Sequence, residues 1–234
     1  MLNSELSILM NDHISQMLLF NKKRKAVSIK ETIAMRESGI LMHITSLPTP
    51  YGIGTMGKDA YAFVDFLVKA GQRCWQILPL TPTGYGDSPY QSLGACAGNH
   101  YLIDLDTLVD EGLLKKEEIQ DISWGNNPKR VDFGAMYAHR MNVLRLAFQR
   151  FAPDEAYETF VEQNRSWLED YALFMALKGA LGGKPWLDWP EALRLRKADA
   201  LAEKRRELSE EIRLQFFAQY EFDKQWKALR SYAN

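Results

Sequence analysis

Thr83-Gly-Tyr-Gly-Asp-Ser-Pro-Tyr-Gln91 places two tyrosines, an aspartate, a serine and a glutamine within nine residues, spaced by glycine and proline. A tyrosine ring can lie against a sugar face while its hydroxyl stays wet. Ser, Asp and Gln carry donors and acceptors that match sugar hydroxyls. Tyr85, Asp87, Ser88, Tyr90 and Gln91 are therefore candidates for sugar contact. A Gly/Pro-rich surface turn has the same composition, and composition alone does not separate the two.

A second motif, Gly52-Ile-Gly54-Thr-Met-Gly57, matches G-x-G-x-x-G. In a dinucleotide-binding domain it would hold a pyrophosphate on a helix N-terminus. Three features weigh against that. Leu47 to Tyr51 intervenes between strand and glycines, the next strand ends Leu78-Pro-Leu-Thr81 without an acid for the ribose, and the chain later turns all-helical. The plainer reading is a tight turn into a helix.

Other chemistry-bearing residues read as structural. Asp104 and Asp106 sit where they would cap a helix from Thr107. Glu169-Asp170 and Glu210-Glu211 read as solvated helix faces, and His43, inside an apolar run, as a core residue or one lying behind a site. Cys74 and Cys96 form no disulfide framework and no zinc spacing, which favours a reducing, cytoplasmic setting. A net charge of −1 gives no general pull toward nucleic acid or an anionic membrane. No apolar run reaches the ~18 residues of a membrane span.

These loops need elements to hold them. Gly39 to Ser46 reads as a buried strand and Lys58 to Ala70 as a helix with Ala60, Phe63, Val64, Leu67 and Val68 on one face. Gly71 should stop that helix, and Cys74 to Leu80 reads as a second buried strand. Strand, helix, strand within about 40 residues predicts a parallel βαβ unit with a right-handed crossover. The long loop Thr81 to Gly98 leaves the C-terminal end of the second strand, and a loop of that length argues for function. Tyr101 to Leu105 is expected as a short strand or extended segment, with short helices over Thr107–Gly112 and Lys115–Asp121. Beyond Phe133 the pattern is helical: Met136–Phe151, Asp154–Trp167, Leu168–Leu181 and Ala198–Tyr232, broken by Gly179 to Pro190. Residues 1–35 stand apart, alternating apolar and polar residues before Lys22-Lys-Arg-Lys25. They read as a frayed leader or as sequence upstream of a start at Met35, with a basic amphipathic membrane anchor as the alternative.

Taken together, these residues resemble the amylomaltases, also called 4-α-glucanotransferases or disproportionating enzymes (glycoside hydrolase family 77). The resemblance rests on Gly39-Ile-Leu-Met-His-Ile-Thr-Ser-Leu-Pro48, Tyr51-Gly-Ile-Gly54, Trp75-Gln-Ile-Leu-Pro-Leu80 and Pro82-Thr-Gly-Tyr-Gly-Asp-Ser-Pro-Tyr-Gln-Ser92. Ala97-Gly-Asn99, Tyr101-Leu-Ile-Asp104, Val131-Asp132, Trp167 to Lys178 and Lys184-Pro-Trp186 extend it. It runs from about Arg36 to Asn234, and Gly-Asp-Ser-Pro-Tyr-Gln is its most specific string. His100 stands where the family more often has proline, which touches only the local turn.

The resemblance implies an α/β fold. Residues 36–132 would be the first βα units of a (β/α)8 TIM barrel, with an active-site loop at 81–98. Residues 133–234 would be a large helical insertion leading to the next barrel strand, so that the barrel is incomplete here. It implies retaining transfer of α-1,4-glucan segments to the 4-hydroxyl of an acceptor glucan or glucose, without metal or organic cofactor. Tyr90 would pack on the sugar next to the cleaved bond, with Ser88 as its hydrogen-bonding neighbour. Asp87 and Gln91 would shape the loop. Tyr85 and Tyr137 would hold glucan outside the cleft, although Tyr137 is equally readable as helix core. The family's nucleophilic Asp, acid/base Glu and stabilising Asp have no counterpart before Asn234. The expectation is therefore a glucan-holding fragment, inactive alone, whose partners are maltooligosaccharides and the remaining half of the barrel. A non-catalytic glucan-binding module is the alternative from the binding class.

Overall fold

The computed structural model describes residues 17–19 and 37–234 apart from Tyr85 and Pro128. Strand β1 (Met17–Leu19), β2 (Gly39–Leu41) and β3 (Cys74–Gln76) form one sheet in the order β1-β3-β2. β2 and β3 pair in parallel, Ile40 opposite Trp75, and helix α1 (Lys58–Lys69) joins them, which is the expected βαβ unit. β1 lies in the stretch read as a leader apart from the domain, yet it pairs antiparallel with the other edge of β3.

The strands are shorter than their apolar runs. After Leu41 the chain leaves the sheet and closes a 3-10 turn over Ile44–Ser46. β2 is an edge strand with Ile40 and Leu41 exposed, not the buried strand expected. Trp75 fixes the register from the other side. It is wholly buried, its indole N–H donates to the Met42 carbonyl at 2.7 Å, and Phe63 packs edge-on at 5.0 Å. Helix α1 buries Ala60, Val64 and Leu67 as its period requires, but Val68 lies exposed on the flank. Gly71, at φ +70, turns the chain out of α1 as anticipated.

Short helices α2 (Leu105–Asp110) and α3 (Glu117–Gln120) follow the long loop. Then come α4 (Phe133–Arg150), α5 (Glu155–Ala180), α6 (Glu191–Arg194), α7 (Ala198–Glu207) and α8 (Ser209–Ala233). Asp132 and Asp154 start α4 and α5 by accepting the N–H groups of Ala135 and Tyr157. The helix expected to break near Trp167 is continuous, because no glycine or proline interrupts it. The helix expected unbroken from Ala198 to Tyr232 turns at Leu208. One large core runs from Ile44 through Trp75 and Leu105 to Phe217 and Leu229, so α8 packs against the βαβ unit as well as against α5. Among the described residues no helix is long and apolar enough to cross a membrane.

Of the segment expected as a short strand or extended at Tyr101–Leu105, only Ile103 and Asp104 are extended and they join no strand; a 3-10 turn, His100–Leu102, precedes them and α2 follows. Without a ladder, its buried backbone groups need other partners, and side chains supply them. Gln219 on α8 accepts from the Gly98 N–H at 2.7 Å and donates to the Gly98 carbonyl at 2.9 Å. Gln225 does the same for Asp104, at 2.7 and 3.3 Å. A glutamine amide has one donor face and one acceptor face, like a peptide unit, so each imitates one rung of a sheet.

Candidate functional site

The loop after β3 is closed by its own backbone. Gly84 N–H donates to the Gln91 carbonyl (3.0 Å) and Leu93 N–H to the Pro82 carbonyl (3.2 Å), making a short antiparallel neck. Asp87 N–H to Gly84 carbonyl (3.2 Å) and Gln91 N–H to Ser88 carbonyl (3.0 Å) close two successive turns at the tip. Gly86 (φ +88) and Asp87 (φ +58) are both left-handed, a conformation glycine adopts freely and aspartate tolerates better than most residues.

This backbone presents the candidates unequally. Tyr90 is 72% exposed, with its ring off the body of the protein. The Ser88 hydroxyl oxygen accepts from the Tyr90 N–H at 3.3 Å, which leaves its own O–H available to an outside acceptor. Gln91 is exposed at the neck. Tyr85 lies outside the described residues.

Asp87 does more than shape a turn: its carboxylate accepts a hydrogen bond from the Tyr137 hydroxyl. Tyr137 is 53% exposed on α4, so it is not the core residue of the alternative reading. Burial and this bond to a carboxylate together push its phenol up to about 12. The inner loop candidate and the outer aromatic, expected as separate contacts, thus form one unit.

Behind them sit residues that the sequence did not single out. Tyr101 packs edge-on against Tyr137 at 6.0 Å, and burial raises its phenol far above the ordinary range. Arg140, one turn beyond Tyr137, is completely buried and donates from Nη2 to the carbonyls of Tyr101 (2.8 Å) and Ile103. Its signal was present, since it interrupts an apolar stripe of Met136, Val143, Leu144 and Ala147. His100, buried against Tyr101 at 4.3 Å, is held neutral by burial, its pKa lowered to about 3. His43 is neutral for the same reason, at about 4, with no protein partner for Nδ1.

Asp104 caps α2 through the Thr107 N–H (2.8 Å), as expected, and also accepts from Thr55 Oγ1 (2.6 Å). Its carboxylate fills the space a Cβ on Gly57 would take, at the N-terminus of α1. That is where a pyrophosphate would sit, so the dinucleotide reading is excluded by an anion the protein already provides. Asp106, expected as a second cap, instead bridges Tyr51 Oη and Lys116 Nζ, both at 2.5 Å.

At the loop's base, Leu80, Cys96, Asn164, Trp167, Phe222 and Trp226 line a cavity of about 110 Å³. This is well below the ~300 Å³ at which small-molecule pockets usually begin. The loop therefore offers an open face rather than an enclosed pocket. Among the described residues no group of three or more His, Cys, Asp or Glu could hold a metal ion.

A family model described as 4-alpha-glucanotransferase, glycoside hydrolase family 77, matches residues 42–234. The chain belongs to this family. The 4-alpha-glucanotransferase of Thermus thermophilus is 50% identical over 204 residues, covering 85% of this chain and 40% of the relative. That of Clostridium butyricum is 48% identical, covering 82% of this chain and 40% of the relative. The structure of an amylomaltase from Streptococcus agalactiae in complex with acarbose superposes with a TM-score of 0.82 at 48% identity, covering 86% of this chain and 41% of that one. An amylomaltase from Corynebacterium glutamicum, 17% identical, shares the fold at a TM-score of 0.63, covering 84% of this chain and 28% of that one. The chain thus spans about 40% of the length of the curated bacterial relatives it matches.

Proposed function

We propose that this chain supplies the donor-side glucan contact of a 4-α-glucanotransferase, with Tyr90 and Ser88 as its principal members. Asp87 and Gln91 shape the loop, and Tyr137, with Tyr85, holds glucan outside the cleft. The observation that carries this reading is the exposed Tyr90 ring on a self-closed loop at the C-terminal end of a parallel strand. (β/α) barrels build their active sites at that end. The acarbose in the Streptococcus agalactiae relative supports a glucan-like ligand. The βαβ unit is then the first part of a (β/α)8 barrel, and residues 133–234 its helical insertion. The exposure of Ile40 and Leu41 on an edge strand fits a surface that further barrel elements cover. A cytoplasmic location accords with the free thiols of Cys74 and Cys96.

The whole reaction is retaining. An aspartate attacks the anomeric carbon as a glutamate protonates the leaving oxygen. The same glutamate then deprotonates the acceptor 4-hydroxyl. We assign these acids to the remaining length of the enzyme, so that the present 234 residues bind glucan without transferring it. What supports this is that acids singled out in the sequence are otherwise engaged. Asp87 is bonded to Tyr137 and Asp104 to Thr55 and Thr107, while Asp170 pairs with Arg196 and Glu211 with Arg145. Incubating the chain alone with maltotriose should release no glucose above a heat-inactivated control. Sustained glucose and maltopentaose formation would refute the assignment.

A further inference from the structure

We propose that Arg140 is a positioning residue for the glucan loop, acting through Tyr101 and Tyr137 without touching sugar; this rests on the loop's reading as a glucan contact. The segment returning from the loop cannot hold itself in place. Residues 98–104 belong to no described strand; apart from single backbone bonds to Leu80 and Met56 and their own turn, their backbone groups are met by side chains from α4 and α8. Gln219 and Gln225 grip its two ends, Gly98 and Asp104. Arg140 grips the middle, through the carbonyls of Tyr101 and Ile103.

The middle is what reaches the loop. The Tyr101 ring is the surface on which Tyr137 rests, and the Tyr137 hydroxyl holds the left-handed Asp87 at the tip, three residues before Tyr90. Arg140 and Tyr137 lie one turn apart on α4, so a single helix fixes both the floor and the tether. A wholly buried guanidinium is a costly way to make two hydrogen bonds. Moreover, Arg140 does so with one of its three nitrogens, since Nε and Nη1 have no hydrogen-bond partner and the guanidinium otherwise only faces the Trp124 ring at 5.9 Å.

This one-nitrogen grip makes a specific prediction. A lysine ammonium carries three donors on one atom and can serve both carbonyls. Arg140→Lys should therefore preserve the loop, whereas Arg140→Met, similar in shape but without a donor, should release it. The experiment measures amide exchange of the full 234-residue chain without sugar, then titrates maltoheptaose, for wild type, both Arg140 variants, Tyr137→Phe and Tyr90→Ala. In Arg140→Met the amides of Gly84, Asp87, Gln91 and Leu93 should exchange about tenfold faster or more, and maltoheptaose should bind about tenfold more weakly. The amides of α5 and α8 should stay as protected as in wild type, and Arg140→Lys should lie within about twofold of wild type in both readouts.

Unchanged loop exchange in Arg140→Met, or equal damage in Arg140→Lys, would overturn the proposal. If Arg140→Met does not fold, Tyr137→Phe cuts the tether at its other end and must free the Asp87 amide; protection there would count equally against it. Unchanged maltoheptaose binding by Tyr90→Ala would instead remove the glucan reading, and the sugar-free exchange data would still judge Arg140.

Discussion

At the scale of single residues, the site is a division between groups that face outward and groups that hold them. Tyr90 and Ser88 face outward, while Asp87 and Tyr137 spend their polar atoms on each other. Tyr137→Phe should lower the melting temperature by no more than about 6 °C, because the bond is partly solvated and worth about 0.5–1.5 kcal/mol. Differential scanning fluorimetry checks this. Another residue gives stability a pH-dependent part. Glu221 on α8 is fully buried beside Lys224 at 2.8 Å, and burial raises its carboxyl to about 7 despite that cation. An acid whose folded pKa lies above its unfolded one binds its proton more tightly when folded. Its contribution is therefore complete below about 4.5 and is lost as pH rises through 7. Glu221→Gln should remove this loss, so that the variant gains more stability from pH 5 to pH 8 than wild type does, by roughly 1–3 kcal/mol as read by urea unfolding at the two values; neutral His43 and His100 make stability rise with pH in both proteins. A variant that loses stability at pH 8 would show that the Lys224 pair outweighs the burial.

At the scale of elements, what was legible depended on local rules. The period of α1, its stop at Gly71 and the parallel pairing of β2 with β3 all follow from spacing and glycine placement, and all appear in the structure. Strand length was not legible. An apolar run says that residues avoid water, and Ile44, Ile77 and Leu80 do so outside any strand. The turn at Leu208 had a signal in Ser209-Glu-Glu, an acidic helix start, that the apolar period masked. Tyr101–Leu105, extended only at Ile103 and Asp104 and part of no strand, misled for a deeper reason. Whether such a segment becomes a strand depends on a backbone partner elsewhere, and here Gln219 and Gln225, more than a hundred residues on, take that role. Gln219→Met should accordingly cost about 2–4 kcal/mol, because both polar groups of Gly98 lose their partners in a buried place. Gln91→Ala, exposed at the neck, should stay within about 0.5 kcal/mol. Chemical denaturation of the two variants side by side separates them.

At the scale of the whole molecule, the family was legible because its most specific string, Gly86-Asp-Ser-Pro-Tyr-Gln91, is contiguous in the sequence and forms one exposed loop tip. The loop's candidates were named from that string. Their supports, Arg140, Tyr101 and Gln219, were not, because their role is visible only when α4 and α8 are folded against the loop. On the proposed reading the molecule presents one wall of a glucan site: an open aromatic face, a base cavity too small for a ligand, and singled-out acids such as Asp170 and Glu211 paired elsewhere. It also exposes Ile40 and Leu41 on β2, and Trp186, Leu187 and Leu195 near α6. Size-exclusion chromatography over a hundredfold concentration range should therefore show self-association, since exposed apolar patches of this kind seek cover. The most direct test of the glucan reading is a titration of maltoheptaose into wild type and Tyr90→Ala, followed by amide chemical shifts. Saturable shifts in Gly84 to Leu93, with affinity reduced about tenfold in the variant, are predicted. Equal affinities, or shifts confined to other parts of the chain, would contradict it.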